Sequence, residues 1–300
     1  AGIDDAVALM MALAHPTAKV EAITTTYGNV SLDKVIPNVL TVLDVMDSNV
    51  PVYAGASQPL VAIWSPETVH GEDGLGNYQP RPITTRRIES EHAANALIRL
   101  ANTYPGELTL VALAPHTNIA LATQLDPTFP SKIKDFIFMG GAIAAQGNTD
   151  HLTAEWNIFC DPEAAFITLR AFPMSRLVSW ETTLQHPLMY AAYHELATLP
   201  SSKAQFFQAI NRVFMEPLIT GMPAKNYLMP DPLAMAVVLE PRMVLNSMVR
   251  YVTVELQGLH TRGQTVIDHR GRLHHPANVE IITDLDMQVM FDLLKQTLTV

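Results

Sequence analysis

Leu108-Thr109-Leu110-Val111-Ala112-Leu113-Ala114-Pro115-His116-Thr117-Asn118 reads as a buried-type strand that stops in a turn, and a short helical segment follows to residue 124. The same order, strand then helix, recurs on both sides of it. Upstream, residues 19–27 are rich in β-branched side chains and end at Gly28-Asn29. A helix follows over 32–46, with Val35, Ile36, Val39, Leu40 and Leu43 on one face. Residues 50–53 form a short strand and 90–102 a helix. Downstream, Phe136-Ile137-Phe138-Met139 is an apolar strand stopped by Gly140-Gly141. Asp161-Pro162 opens the next helix, with Asp161 as N-cap and Pro162 in the first helical position. A strand over 176–180, helices over 203–218 and 231–239, and a closing helix over 286–297 complete the pattern. Strands at 249–256, 265–268 and 279–283 lie close together and predict an antiparallel extension. The alternation predicts an α/β fold, a doubly wound, mainly parallel open sheet with flanking helices, as a single domain over residues 1–300. Residues 55–85 lack periodicity and are rich in Gly and Pro, and a loop that long in a compact domain is usually functional.

Composition narrows the function. Hydrophobic residues make up 48% of the 300 and charged ones 16%, enough apolar material for a sizeable core. The formal net charge of −10 argues against nucleic acid and anionic membrane surfaces, and suits a neutral substrate or a divalent cation. No apolar run approaches the roughly 20 residues that span a bilayer. Cys160 is the single cysteine, so no intrachain disulfide can form and a reducing, cytoplasmic setting is expected. The chain opens without Met, within what reads as a strand-to-helix turn, so the natural N-terminus and any targeting segment are expected upstream.

That opening is Ala1-Gly2-Ile3-Asp4-Asp5-Ala6, and Ile3, Val7, Met10, Met11 and Ala14 continue it at helical spacing. Asp4 can be read as an N-cap and Asp5 as an acid complementing the helix dipole. One acid suffices for that; two adjacent ones repel unless a cation or a hydroxyl-rich ligand faces them. Ligands of open parallel sheets bind beyond the carboxyl ends of the strands. Asp4, Asp5, Asn29, the 113–118 turn, Glu155, Asn157 and Asp231 all fall there. They are acids and amides without Lys or Arg, which suits an oxygen-ligated cation with a polyhydroxylated neutral ligand and does not suit phosphate. Each has a plainer reading as well. Asn29 after Gly28 is a turn residue, and Asp231 before Pro232 an N-cap. Asn157 in an apolar run needs buried partners, and Glu155 points to its side if the segment is extended. His70 is a loop histidine. Cys160 has no organised His partner and reads as core, as do Trp156 and Trp180.

These blocks resemble the nucleoside hydrolases, calcium-dependent enzymes that cleave the N-glycosidic bond of ribonucleosides. Gly2-Ile3-Asp4-Asp5-Ala6 matches the second half of the family's opening Asp-x-Asp-x-Gly-x-Asp-Asp-Ala. Thr24-Thr25-x-x-Gly28-Asn29, Val69-His70-Gly71-Glu72-x-Gly74, Thr117-Asn118-Ile119-Ala120, Met139-Gly140-Gly141, Ala154-Glu155-Trp156-Asn157 with Asp161-Pro162-Glu163-Ala164-Ala165, and Asp231-Pro232 follow in the family's order. The resemblance implies that Asp5, Asp231 and the carbonyl of Leu113 bind Ca²⁺. It implies that Asp4, Asn29, Glu155 and Asn157 hold ribose hydroxyls, with Met139 against the sugar. Asp4 and His70 are the implied catalytic side chains, His70 in a loop near the base. A nucleoside-salvage role and a homodimer or homotetramer are also implied.

Two departures qualify it. The leading Asp-x-Asp has no counterpart, since Ala1 comes first. The expectation is a clipped record lacking a central first strand. The chain as written would then be inactive and poorly folded, because losing a central strand costs more than a typical stability of about 5–15 kcal/mol. Pro230 stands where family members carry His or Trp, and it has neither a donor nor an aromatic face. That leaves base preference and the leaving-group acid open, with His70, His260 and Tyr227 as candidates. It also motivates an alternative, a member that binds a nucleoside or sugar without turnover. A phosphatase-like hydrolase fits less well, for want of a Lys and a phosphate-cradling turn.

Overall fold

The computed structural model describes residues 1–219 and 226–299. In chain order the first half comprises α1 (Ile3–Ala14), β1 (Ile23–Thr25), α2 (Leu32–Val45), β2 (Val52–Ala54), α3 (Ala93–Thr103), β3 (Thr109–Ala112), α4 (Thr117–Leu125), α5 (Phe129–Lys132) and β4 (Asp135–Met139). Then come α6 (Trp156–Cys160), α7 (Pro162–Ala171), β5 (Ser175–Val178), α8 (Trp180–Gln185), β6 (Leu188–Met189), α9 (Tyr190–Ala197), α10 (Ser202–Ile219) and β7 (Asn226–Tyr227). The chain closes with α11 (Pro230–Leu239), β8 (Val244–Arg250), β9 (Val252–Val254), β10 (Thr265–Ile267), β11 (Val279–Leu285) and α12 (Met287–Thr299).

The main sheet has five strands in the order β3-β4-β5-β11-β8, parallel except for β8, which runs antiparallel to β11. β9 and β10 form the expected antiparallel addition. Alternation along β4 splits the core. Ile137 and Met139 face a layer built from α1, α10, α11 and α12, while Phe136 and Phe138 face α3, α4 and α7. α1 packs closely on α11 because both carry alanines on the buried side: Ala6, Ala8 and Ala12 on one, Ala234 and Ala236 on the other. That contact brings the two helix N-termini together.

β1 and β2 form a separate parallel pair. Among the described residues β1 has no partner on its second edge, and β3 has none on the side away from β4. The two edges face each other across a cavity of about 760 Å³, lined by residues 23–26 of one and 108–111 of the other. The 108–113 strand is not the buried strand its composition predicts, because it lines this cavity: Thr109 is exposed and Leu110 and Val111 are half-buried, whereas β4 is buried from Phe136 to Met139.

Two features outside the site make measurable predictions. Gly76 has φ +66°, and a Cβ on it would lie 2.1 Å from the carbonyl oxygen of Ile210. Gly76→Ala is therefore expected to cost about 3 kcal/mol or more in denaturant unfolding. His116 is fully buried against Phe136 and Phe138, and neither ring nitrogen has a partner. Burial lowers its pKa from 6.5 to about 4, so the native state keeps it neutral. Between those values the unfolded chain binds a proton that the native chain does not, and stability falls as pH falls. The shift corresponds to about 3 kcal/mol. His116→Leu should remove that slope between pH 6.5 and 4 in unfolding free energies measured against pH.

Candidate functional site

At the carboxyl ends of the strands, α1 and α11 start side by side. Asp4 and Asp231 each occupy the second position of their helix, so neither is an N-cap; Gly2 and Met229 are. The plain capping reading of these two acids does not hold. Asp5 does serve the helix start in part, since its Oδ2 accepts the Gly2 N–H at 2.7 Å. One carboxylate oxygen each from Asp4, Asp5 and Asp231 lie within 4.8 Å of one another. Burial raises the Asp5 carboxyl to about 6. Burial, then Asp4, Asp5 and Glu155, push Asp231 well above the usual carboxylate range. Among the described ion pairs, the group that meets this cluster is His70, whose Nδ1 is 3.5 Å from Asp4 Oδ1.

That Nδ1 also accepts the backbone N–H of Ile3 at 3.0 Å, which puts the proton of the neutral ring on Nε2. The ring is wedged edge-on against Phe214, centroids 5.4 Å apart. Asn29 joins the group: a methyl built on Gly2 would lie 2.7 Å from Asn29 Nδ2, 2.9 Å from His70 Nδ1 and 3.0 Å from Asp4 Oδ1. Gly2 is small because three polar side chains converge on it.

Glu155 and Asn157 meet differently from the extended arrangement that their spacing suggests. Glu155 is the N-cap of the short helix α6 and Asn157 lies inside it. The Glu155 carboxylate folds back to accept the N–H groups of Asn157 at 3.0 Å and Gly141 at 2.8 Å. Burial nevertheless raises it to about 7. Asn157 finds the buried partners an amide there requires. Its Nδ2 donates to the carbonyls of Leu113 at 3.2 Å and Met139 at 3.1 Å, tying the ends of β3 and β4 together. The Leu113 oxygen keeps a second lone pair. The cavity described above reaches Asp5, Asn29, Leu113 and Asn157.

Of the candidate leaving-group acids, His260 is exposed on the β9–β10 connection and its carbonyl accepts from Thr153. Tyr227 is buried and its hydroxyl already donates to Asn211 Oδ1. Cys160 and Trp180 are in or against the core, as expected. Asn118, in the turn singled out in the sequence, accepts the Ala56 N–H and donates to the Thr25 carbonyl, joining the two sheets. Trp64 was passed over in the sequence; its indole donates to the Gly28 carbonyl. The signal for Trp64 was its type: a large aromatic in a Gly/Pro-rich loop.

Comparison with known proteins shows the family. The family profile described as inosine-uridine preferring nucleoside hydrolase matches residues 1–292. The chain is 34% identical over 292 residues to an inosine-uridine preferring nucleoside hydrolase of Leishmania major, covering 95% of this chain and 90% of that one. It is 32% identical over 306 residues to the pyrimidine-specific ribonucleoside hydrolase RihA of an Enterobacter species, covering 99% and 95%. Among solved structures, an inosine-guanosine nucleoside hydrolase superposes with a TM-score of 0.91 at 30% identity, covering 99% of this chain and 96% of the other. The chain belongs to the inosine-uridine preferring nucleoside hydrolase family, enzymes that hydrolyse the N-glycosidic bond of ribonucleosides.

Proposed function

We propose that this protein hydrolyses ribonucleosides to free base and ribose in a calcium-dependent reaction that serves nucleoside salvage. The observation that carries the calcium assignment is the buried cluster of Asp4, Asp5 and Asp231, whose oxygens lie within 4.8 Å of one another. The donor set fits a hard cation, because it consists of carboxylates and carbonyls without a thiolate or an imidazole ligand. Asp5, Asp231 and the Leu113 carbonyl would hold the ion. Bound there, calcium would orient the ribose hydroxyls and acidify water.

The protein's own groups supply the rest. Asn29, Glu155 and Asn157 bind ribose hydroxyls, with Asp4 beside them and Met139 against the sugar. Breaking the C–N bond builds positive charge on the ribosyl ring, and the ring of carboxylates stabilises it where it develops. Asp4 takes a proton from the attacking water. The bonding electrons leave with the base, His70 Nε2–H donates a hydrogen bond to it, and the base takes its proton from solvent. The relatives' names divide between inosine-uridine, pyrimidine and inosine-guanosine substrates, so base choice is an open variable of this site. A homodimer or homotetramer in the cytoplasm completes the proposal. Among the described residues no helix is long and apolar enough to cross a membrane.

The test is ribose release from inosine, uridine and adenosine, with calcium added and with chelator. Calcium-dependent release from at least one supports the proposal. Release unaffected by chelation removes calcium from it. Release from none, with calcium present, leaves a member that binds without turnover, the reading Pro230 motivates.

A further inference from the structure

The geometry points to Trp64 as a positioning residue: its indole N–H, on a strap formed by residues 60–70, fixes the Gly28–Asn29 turn and so aims the Asn29 amide. This rests on the reading of Asn29 as a ribose ligand given above. The strap is fastened at successive points. The Leu60 N–H donates to Asp161 Oδ2 at 3.0 Å, Trp64 Nε1–H to the Gly28 carbonyl at 2.9 Å, and the Glu67 N–H to the Asn29 carbonyl at 2.8 Å. At its end His70 receives the Ile3 N–H. The two middle bonds land on consecutive carbonyls of one turn, so that turn is held by the strap.

Trp64 is the strap's apolar anchor. Val61, Ile63 and Val69 are exposed, whereas the Trp64 ring turns inward and meets the Tyr27 ring edge-on, centroids 4.9 Å apart at 66°. Tyr27 is itself immobile: fully buried, with its hydroxyl bonded to Thr117 Oγ1 at 3.2 Å. Thr117 donates in turn to Asp161 Oδ2 at 2.7 Å, the same oxygen that receives Leu60. Asp161, Thr117, Tyr27 and Trp64 thus form a closed circuit that fixes strap and turn to each other. The consequence is chemical because Asn29, His70 and Asp4 converge around Gly2 at contact distance.

Trp64→Phe keeps the ring edge on Tyr27 and removes the N–H donor. It is expected to weaken the binding of free ribose, measured by calorimetry with calcium present, about tenfold. KM for uridine or inosine should rise by a similar factor, kcat should change less than about threefold, and the thermal midpoint should stay within about 2 °C. Because Trp64 acts through Asn29, Trp64→Phe should add little to Asn29→Ala in the double variant. Full additivity, or unchanged ribose affinity in Trp64→Phe while Asn29→Ala weakens it, would overturn the inference. If Asn29→Ala itself leaves ribose affinity unchanged, the ribose reading of Asn29 fails instead. Should the midpoint fall while ribose affinity holds, Trp64 is a packing residue and the inference is wrong.

Discussion

Asp231→Asn should lower kcat/KM for ribonucleoside hydrolysis by roughly 10³-fold and weaken calcium binding by roughly 10- to 100-fold. The reason lies in where this carboxylate sits. It is 3% exposed at the start of α11, with Asp4, Asp5 and Glu155 as charged neighbours. Burying like charges together is unfavourable unless a cation neutralises them. Two signs follow. Without calcium the variant should melt at or above the wild-type midpoint, because one source of repulsion has gone. With calcium the wild type should be stabilised strongly and the variant weakly, since stabilisation follows the ratio of ligand concentration to Kd. Differential scanning fluorimetry with and without calcium reads both. A variant that keeps its calcium-induced shift would show that Asp231 does not hold the ion.

The elements that carry the site were legible where helix signals are local. Asp161 caps α7 and Pro162 opens it as the sequence predicts, because N-cap chemistry involves neighbours three residues apart. α1 and α12 begin within a residue of expectation. The strands read longer in sequence than in structure: residues 19–27 contain a β1 of Ile23–Thr25. A strand persists only where a partner continues its ladder, and β1 has one partner. α8 and α9 were missed because their apolar spacing is weak and their burial comes from tertiary contacts with the α10–α12 layer.

Within the site, residue identity was more legible than geometry. Two adjacent acids at a helix start announced a site, and only the resemblance implied that Asp231 joins Asp5 there; spacing could not, because α1 and α11 are joined by packing and not by sequence. Glu155 and Asn157 were recognised for their polarity in an apolar run. Their mutual arrangement was misread, since five residues of helix after Glu155 reverse the direction that an extended chain would have taken. The contacts of Trp64 and Asn118 were not legible because each acts on the end of β1 from an element distant in sequence.

Glu155→Gln should separate activity from stability. Turnover should fall by roughly 10²-fold or more, because the variant loses a negative charge beside the ribosyl ring and leaves the carboxylate's donors facing a single acceptor oxygen. Stability should move the other way at alkaline pH. Burial raises the Glu155 carboxyl from 4.5 to about 7, so between these values the native state binds a proton that the unfolded chain has released. Its contribution is therefore full below pH 4.5 and is lost as pH rises through about 7. The loss is on the order of 3 kcal/mol without calcium, opposite in sign to the His116 effect. The glutamine variant cannot ionise, so relative to wild type its unfolding free energy in chelator should rise by about 3 kcal/mol as pH increases across that interval. The two variants together make a cycle: over the shared interval His116→Leu removes a contribution that rises with pH and Glu155→Gln one that falls, so their effects should oppose each other. A Glu155→Gln protein whose stability follows the wild-type pH dependence from pH 4.5 to 7 without a difference would mean that this carboxylate is not held in the low-dielectric environment its burial implies.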